Sequence, residues 1–184
     1  MGGGSRQPPF RPLHHTTSDK VIIGGGRDAK PGEISLAHNG ILFMDEFPEF
    51  SRTVLESLRQ PLEDRHVMVA RAEAHSSYWC QFMLIATANP CKCGYLSDPS
   101  RACARAPLCG GEYMGHISEP MMDRFDLTVE MPPVPFHDLD LPSDGDTSAT
   151  VAARVAAAFQ IQTDRYRDHP ELRSNAELEG AQLN

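Results

Sequence analysis

The chain has 184 residues, a formal net charge of -8 and 40% hydrophobic residues. That length supports one domain with a proper core and a small appendage. The acidic balance argues against a generally basic nucleic-acid coat, and leaves room for a local basic patch. No apolar run nears the roughly 20 residues that span a bilayer, and no signal-peptide pattern opens the chain, so the reading is a soluble, cytoplasmic protein. Five cysteines, an odd number and mostly clustered, suit reduced thiols or a metal site better than a secreted disulfide framework.

In chain order, residues 1–5 carry no side chains to pack and read as a flexible start. Residues 6–19 hold three prolines, His14-His15 and a Thr16-Thr17-Ser18 cluster, which predicts loop, so residues 1–19 form a flexible N-terminal segment. Val21-Ile22-Ile23 before Gly24-Gly25-Gly26 predicts a short strand running into a mobile glycine loop. No Gly-Lys-Ser/Thr follows, so the phosphate-loop signal is weak there. Pro31-Gly32 turns the chain into a short helix over 33–38, closed by Asn39-Gly40.

Ile41-Leu42-Phe43-Met44 then forms an unbroken apolar run ended by Asp45-Glu46. Such a run predicts a strand buried on both faces of a parallel sheet. The carboxyl ends of such strands border the ligand crevice, and two adjacent carboxylates there suit a hydrated Mg²⁺ and the water that attacks a phosphate. The bland alternative is a strand ending in solvent. Ser51 caps a predicted helix to about residue 60, with Val54, Leu55, Leu58 and Leu62 on one face and Pro61 ending or kinking it. Residues 66–71 alternate, a polar turn follows, and 78–82 complete a predicted β-hairpin. Residues 82–88 are a second apolar run, stopped by Asn89-Pro90. As the parallel neighbour of the first, it places Asn89 at the same sheet edge as Asp45 and Glu46.

Residues 91–115 hold four cysteines amid Gly, Pro and Ser. A helix is predicted from about 118 through 125, then a third strand over 126–131 with Leu127, Val129 and Met131 alternating. The Pro- and Asp-rich stretch that follows is a linker (136–147). Val151, Val155, Phe159 and Tyr166 recur at helical spacing, which predicts an amphipathic helix. The polar tail suggests no element.

Taken together, PLHHT at 12–16, the triple glycine, KPGEISLAHN at 30–39, GILFMDEFPEF at 40–50, VLESLRQPLED at 54–64, NPCKCG at 89–94 and MDRFDL at 122–127 resemble the AAA+ ATPases of the magnesium-chelatase (ChlI-like) type. The resemblance is strongest to the ComM-like (YifB) branch, associated with DNA branch migration, and it covers about residues 6–135. It implies an α/β fold: a parallel P-loop-type sheet flanked by helices, with a β-hairpin insertion. The partial ATPase core spans 20–135, and a truncated helical lid begins at 148–184. It further implies Asp45 as the Walker B acid holding Mg²⁺ through water, Glu46 as the general base and Asn89 as the sensor that positions the attacking water. Arg124 becomes the arginine finger reaching into a neighbouring subunit of a homo-oligomeric, hexamer-type ring. Without the family, Arg124 reads as an ion pair with Asp123 or Asp126. The family's Walker A loop does not occur in this sequence, so the chain reads as a fragment expected to bind ATP poorly by itself.

Cys91, Cys93, Cys103 and Cys109 put four thiols in a short loop, a donor set for one tetrahedral Zn²⁺, with reduced free thiols as the alternative. Arg105 stands where the family's fourth cysteine is expected, so Cys109 substitutes, with His116 as a replacement ligand. Cys80 reads as packed. Arg65, Arg71 and His75 on the hairpin suit a phosphate backbone threading the ring, or are simply a solvated tip. His14-His15 reads as a hydrogen-bonded structural pair, near the nucleotide by its position. The leading expectation is an ATP- and Mg²⁺-using module acting on DNA. Its competitors are an ATPase subunit for metal insertion into a porphyrin and a non-catalytic remnant that binds partners or zinc.

Overall fold

The computed structural model describes residues 7–26, 29–71, 74–96, 98, 100–134, 136–138, 145–169, 172 and 174–178, with the side chains of 70–75 also outside the description. The expected flexible start at 1–5, the hairpin tip at 72–73, the side chains of Arg71 and His75, much of the linker and the end of the tail lie outside the described residues. The chain divides into two units, residues 1–129 and 130–184.

In the first unit, Phe10–Leu13 (β1), Ile41–Met44 (β4) and Met83–Ala86 (β7) make a sheet in the order β1-β4-β7, parallel throughout. Leu13, Met44 and Ala86 share one register level, so all three strands finish at the same edge. The segment over 6–19 is therefore not loop throughout. A proline inside β1 argued against a strand, but among the described residues β1 borders the sheet and bonds only β4, a position where a missing N–H is tolerated.

Alternation along the strands gives the sheet two unlike faces. Leu13, Leu42 and Met44 point into a core with Ile22, Ile34, Phe47, Phe50, Val54, Leu55 and Leu58. Phe10, Pro12, Phe43, Met83 and Ile85 occupy the other face. There Phe10 is 57% exposed, Met83 63% and Ile85 39%, and the Phe10 and Phe43 rings stack with centroids 6.0 Å apart. Parallel sheets are normally covered on both sides, so this uncovered apolar face is unusual.

Helices fill the buried side. Asp19–Ile23 (α1) is helical where a strand was expected: the Ser18 carbonyl accepts from the Val21 and Ile22 amides, and only Ile22 is fully buried. Ile23 is partly buried against the same core, so two adjacent residues face inward, which an alternating strand does not do. The glycines pair as well as flex. Gly24–Gly25 (β2) is antiparallel to Lys30–Pro31 (β3), and at Gly24 (φ 103) an added Cβ would stand 2.6 Å from the Gly32 nitrogen. Glu33–Leu36 (α2) follows, and Arg11 clamps Glu33 through two hydrogen bonds of 2.6 and 2.8 Å, tying β1 to it.

Ser51 caps the next helix as expected, its Oγ accepting from the Val54 amide at 3.3 Å. The helix divides at Leu58 into Arg52–Ser57 (α3) and Arg59–Asp64 (α4). Pro61 thus lies in the first turn of α4, where its missing amide proton has no partner to lose. The hairpin is present as His66–Arg71 (β5) and Ala74–Trp79 (β6), with six residue pairs and a second strand earlier than expected. Leu108–Met114 (α5) arises inside the cysteine-rich stretch, where no helix was foreseen, and Glu119–Met122 (α6) is shorter than its expected span.

The expected strand over 126–131 is not one. Leu127 and Val129 alternate but are 86% and 75% exposed, because an alternating segment becomes a strand only when another pairs with it. In the second unit, Ser148–Arg165 (α7) carries the expected helix, capped by Thr147 Oγ1 accepting from the Thr150 amide. Its Val155 and Phe159 are exposed, and Tyr166 is buried with its hydroxyl donating to Asn175. No helix among the described residues is long and apolar enough to cross a membrane.

Candidate functional site

The carboxyl edge of the sheet assembles around Asp45 and Glu46. Met44 and Phe47 are both buried, so the acidic pair between them is forced outward. Glu46 makes that turn with φ 54 and ψ 51, a left-handed conformation uncommon for a non-glycine residue and held by its surroundings. Thr87, the first residue past β7, does the holding. Its Oγ1 accepts from the Glu46 amide at 3.1 Å and donates to Asp45 Oδ1 at 2.5 Å, while its carbonyl accepts from the Phe47 amide at 2.8 Å. Sequence reasoning passed over Thr87. The available signal was a hydroxyl ending an apolar strand beside an acid pair.

Asn89 lies three residues beyond β7, exposed, at the same sheet edge. Buried Tyr113 on α5 supports it from behind. Burial pushes the Tyr113 phenol upward, the charges of Glu49 and Glu46 add to this, and a backbone hydrogen bond with Asn89 works the other way. Asp45, Glu46 and Asn89 thus stand at the ends of neighbouring strands. Arg124 is bonded to Glu63 at the end of α4, an ion pair whose two side chains are 40% and 44% exposed. Its partner is therefore neither Asp123 nor Asp126.

On the opposite flank, the rings of His14 and His15 lie 4.1 Å apart. His14 Nδ1 shares a hydrogen bond with the Thr16 hydroxyl, as a structural histidine would. His15 differs: its Nδ1 is 3.1 Å from Glu46 Oε2. His14, His15 and Glu46 are the one group among the described residues in which three metal-capable side chains bring their ligand atoms within 4.8 Å of one another.

The four loop thiols touch pairwise. Cys91 Sγ is 3.1 Å from Cys93 Sγ, Cys103 bonds Cys109 and Cys93, and Cys109 also bonds Cys91. Their partners are one another rather than His116. A backbone hydrogen bond from Arg105, then the thiol of Cys109, lower the Cys103 thiol, whereas its bond to Cys103 raises Cys109 to about 11. Cys80 is buried as expected, and burial pushes its thiol up to about 11.

A family model described as "Magnesium chelatase, subunit ChlI" matches residues 2–139. The chain belongs to the ChlI-type magnesium-chelatase family. Curated relatives agree over nearly the whole sequence. YifB of Salmonella typhimurium is 43% identical across 97% of this chain, competence protein ComM of Haemophilus influenzae 42% across 87%, and YifB of Escherichia coli K12 41% across 95%. The chain spans only about a third of their length, at 34%, 31% and 35% respectively. A solved structure of NtrX from Brucella abortus in complex with ADP covers 63% of this chain and 24% of its own, with a TM-score of 0.43 and 20% identity. The ChlI-type family is one of AAA+ ATPases, whose members use nucleotide and Mg²⁺ and typically assemble into rings. The chain's parallel sheet flanked by helices is the architecture expected of a member.

Proposed function

We propose that this chain supplies the hydrolytic half of an AAA+ nucleotide site, within a ring that acts on DNA. The supporting observation is the shared edge: β4 and β7 are parallel neighbours, and Thr87 binds the two strand ends into one ledge. Asp45 there would hold Mg²⁺ through water, and Glu46 would take the proton of the attacking water. Asn89 fixes that water from the β7 side. The chemistry such an ion would supply there is neutralisation of phosphate charge. The donor set fits, since an oxygen ligand and its waters are what Mg²⁺ prefers. Arg124, exchanging Glu63 for the phosphates of a neighbouring subunit, spreads charge on the transferring group.

No Gly-Lys-Ser/Thr phosphate loop occurs in the 184 residues. The chain by itself is therefore expected to bind ATP weakly, and robust turnover by it contradicts this reading. In the protein at its full natural length, Glu46→Gln is expected to lower kcat at least about a hundredfold while nucleotide binding persists, given the usual worth of a positioned base. Turnover near the wild-type rate would withdraw the assignment.

The DNA role is supported by the likeness to competence protein ComM and by exposed Arg65 at the base of the β5–β6 hairpin. ATP turnover stimulated by branched DNA, with a steep fall as salt rises, is the expected signature. The family description itself favours a second reading, metal insertion into a porphyrin. Stimulation by a porphyrin-binding partner and indifference to DNA would decide for it.

The four thiols carry the remaining assignment, one structural Zn²⁺ held by Cys91, Cys93, Cys103 and Cys109. The donor set suits zinc, and Cys91 and Cys93 already bring their thiols within 3.1 Å. Metal analysis after chelator-free purification is expected to give about one zinc per chain, lost in Cys103→Ser. Absence of zinc from the wild type overturns it.

A further inference from the structure

Asn89 stands three residues beyond β7, past the last pairing of that strand at Ala86, so the sheet ladder does not set its direction. Pro90 follows it and biases its backbone toward extended conformations, which fixes only part of its aim. Further support comes from α5. Gly110 and Cys109 sit three and four residues before Tyr113, so all three share one face of that helix. This face lies along the segment that carries Asn89. A Cβ added at Gly110 would stand 3.1 Å from the Pro90 carbonyl oxygen, so the helix backbone rests closely on residue 90. On one side of that contact Cys109 meets Cys91, which is fully buried. On the other side is Tyr113, 8% exposed, whose phenol bonds the Asn89 backbone and feels the charges of Glu49 and Glu46. That bond favours the ionised phenol, as donation from the Asn89 amide to the phenol oxygen does. Three residues of one helix face thus meet three consecutive residues of the chain, and the phenol falls to the asparagine.

We propose that Tyr113 is a positioning residue for Asn89. Seated on Pro90 and anchored in the cysteine loop, α5 presents the phenol to the Asn89 backbone and so aims the asparagine side chain at the water beside Glu46. The inference rests on Asn89 serving that water. A side chain leaves its backbone in a staggered rotamer that depends on the backbone dihedrals, so an amide held in place narrows where the side chain points. Small errors in that aim are costly, because the reacting groups must meet within a narrow geometry. The phenol acts through Asn89 rather than on the nucleotide, so its loss falls on kcat and leaves KM nearly unchanged. The cysteine loop thereby acts on turnover through α5.

The test is steady-state ATP turnover of the protein at its full natural length, as wild type, Tyr113→Phe, Asn89→Ala and the double variant. Phenylalanine keeps the buried ring and removes only the hydroxyl. It is expected to lower kcat about two- to tenfold, the range set by the net worth of one hydrogen bond, with KM within about twofold. In the Asn89→Ala background the same substitution is expected to change kcat by less than about twofold, because the group it positions is gone. If Tyr113→Phe does not fold, as judged by its melting transition, Tyr113→Met fills the space without a hydroxyl and carries the same expectations. A wild-type kcat for Tyr113→Phe overturns the proposal. So does an equal fold-loss in both backgrounds, the result a merely structural tyrosine gives. Asn89→Ala separates the two layers. If it is slow while Tyr113→Phe runs at the wild-type rate, the positioning role alone fails. If it is as fast as wild type, the assignment of Asn89 fails and the role of Tyr113 with it.

Discussion

Thr87 shows how much one hydroxyl arranges at this edge. Replacing it with valine keeps the shape but removes the acceptor for the Glu46 amide and the donor to Asp45. Thr87→Val is expected to lose about 1–2 kcal/mol of stability, the cost of stranding those partners, and to reduce turnover further because Glu46 relaxes from its left-handed conformation. Denaturant midpoints and kcat measured on the same preparation check both. Arg124 gives the opposite pattern. Its pair with Glu63 is exposed, so Arg124→Ala should leave stability within about 1 kcal/mol of wild type. Turnover should nevertheless fall by roughly a thousandfold or more if the guanidinium serves a neighbouring subunit; equal, small effects on both would mark the residue as structural only. Cys80 makes a pH prediction. Its thiol rises from 9.0 to about 11 on folding, so the folded state holds the proton more tightly. That stabilisation is present below about pH 9 and is lost as pH rises through about 11. Unfolding midpoints between pH 8 and 11 should fall more steeply in the wild type than in Cys80→Ala.

At the scale of elements, strand β4 was legible because its run of four apolar residues ends in charge, and the Ser51 cap and the hairpin were legible from local chemistry. What stayed hidden needed partners. Phe10–Leu13 carries a proline and becomes a strand only because β4 bonds it, while Val21-Ile22-Ile23 has strand-like side chains but follows a cap that starts a helix. Residues 126–131 have the right alternation and no pairing strand among the described residues. That the acid pair and Asn89 follow neighbouring parallel strands could be read from sequence. Thr87 and the His15 contact could not, since both depend on the strand order β1-β4-β7, which brings residues 13 and 86 to the level of 44. Gly40 tests how tightly β1 and β4 meet. A Cβ there would stand 2.1 Å from the Pro9 carbonyl oxygen, so Gly40→Ala should destabilise by about 3 kcal/mol, the upper end for overpacking, in a denaturant titration.

For the whole molecule, the uncovered face of Phe10, Phe43, Met83 and Ile85 governs how the isolated chain behaves. An apolar patch of this kind on a parallel sheet is an association surface. The 184-residue chain should self-associate and bind an apolar dye, and Ile85→Lys should weaken both, as read by light scattering and fluorescence. The larger claim is that two residues from neighbouring strands, Glu46 and Asn89, act on one water molecule. A double-mutant cycle on ATP turnover, at the protein's full natural length, tests it most directly. Groups that serve the same step are non-additive. Glu46→Gln combined with Asn89→Ala is therefore predicted to be scarcely slower than Glu46→Gln alone. Losses that simply multiply, or an Asn89→Ala variant as fast as wild type, would contradict the shared site.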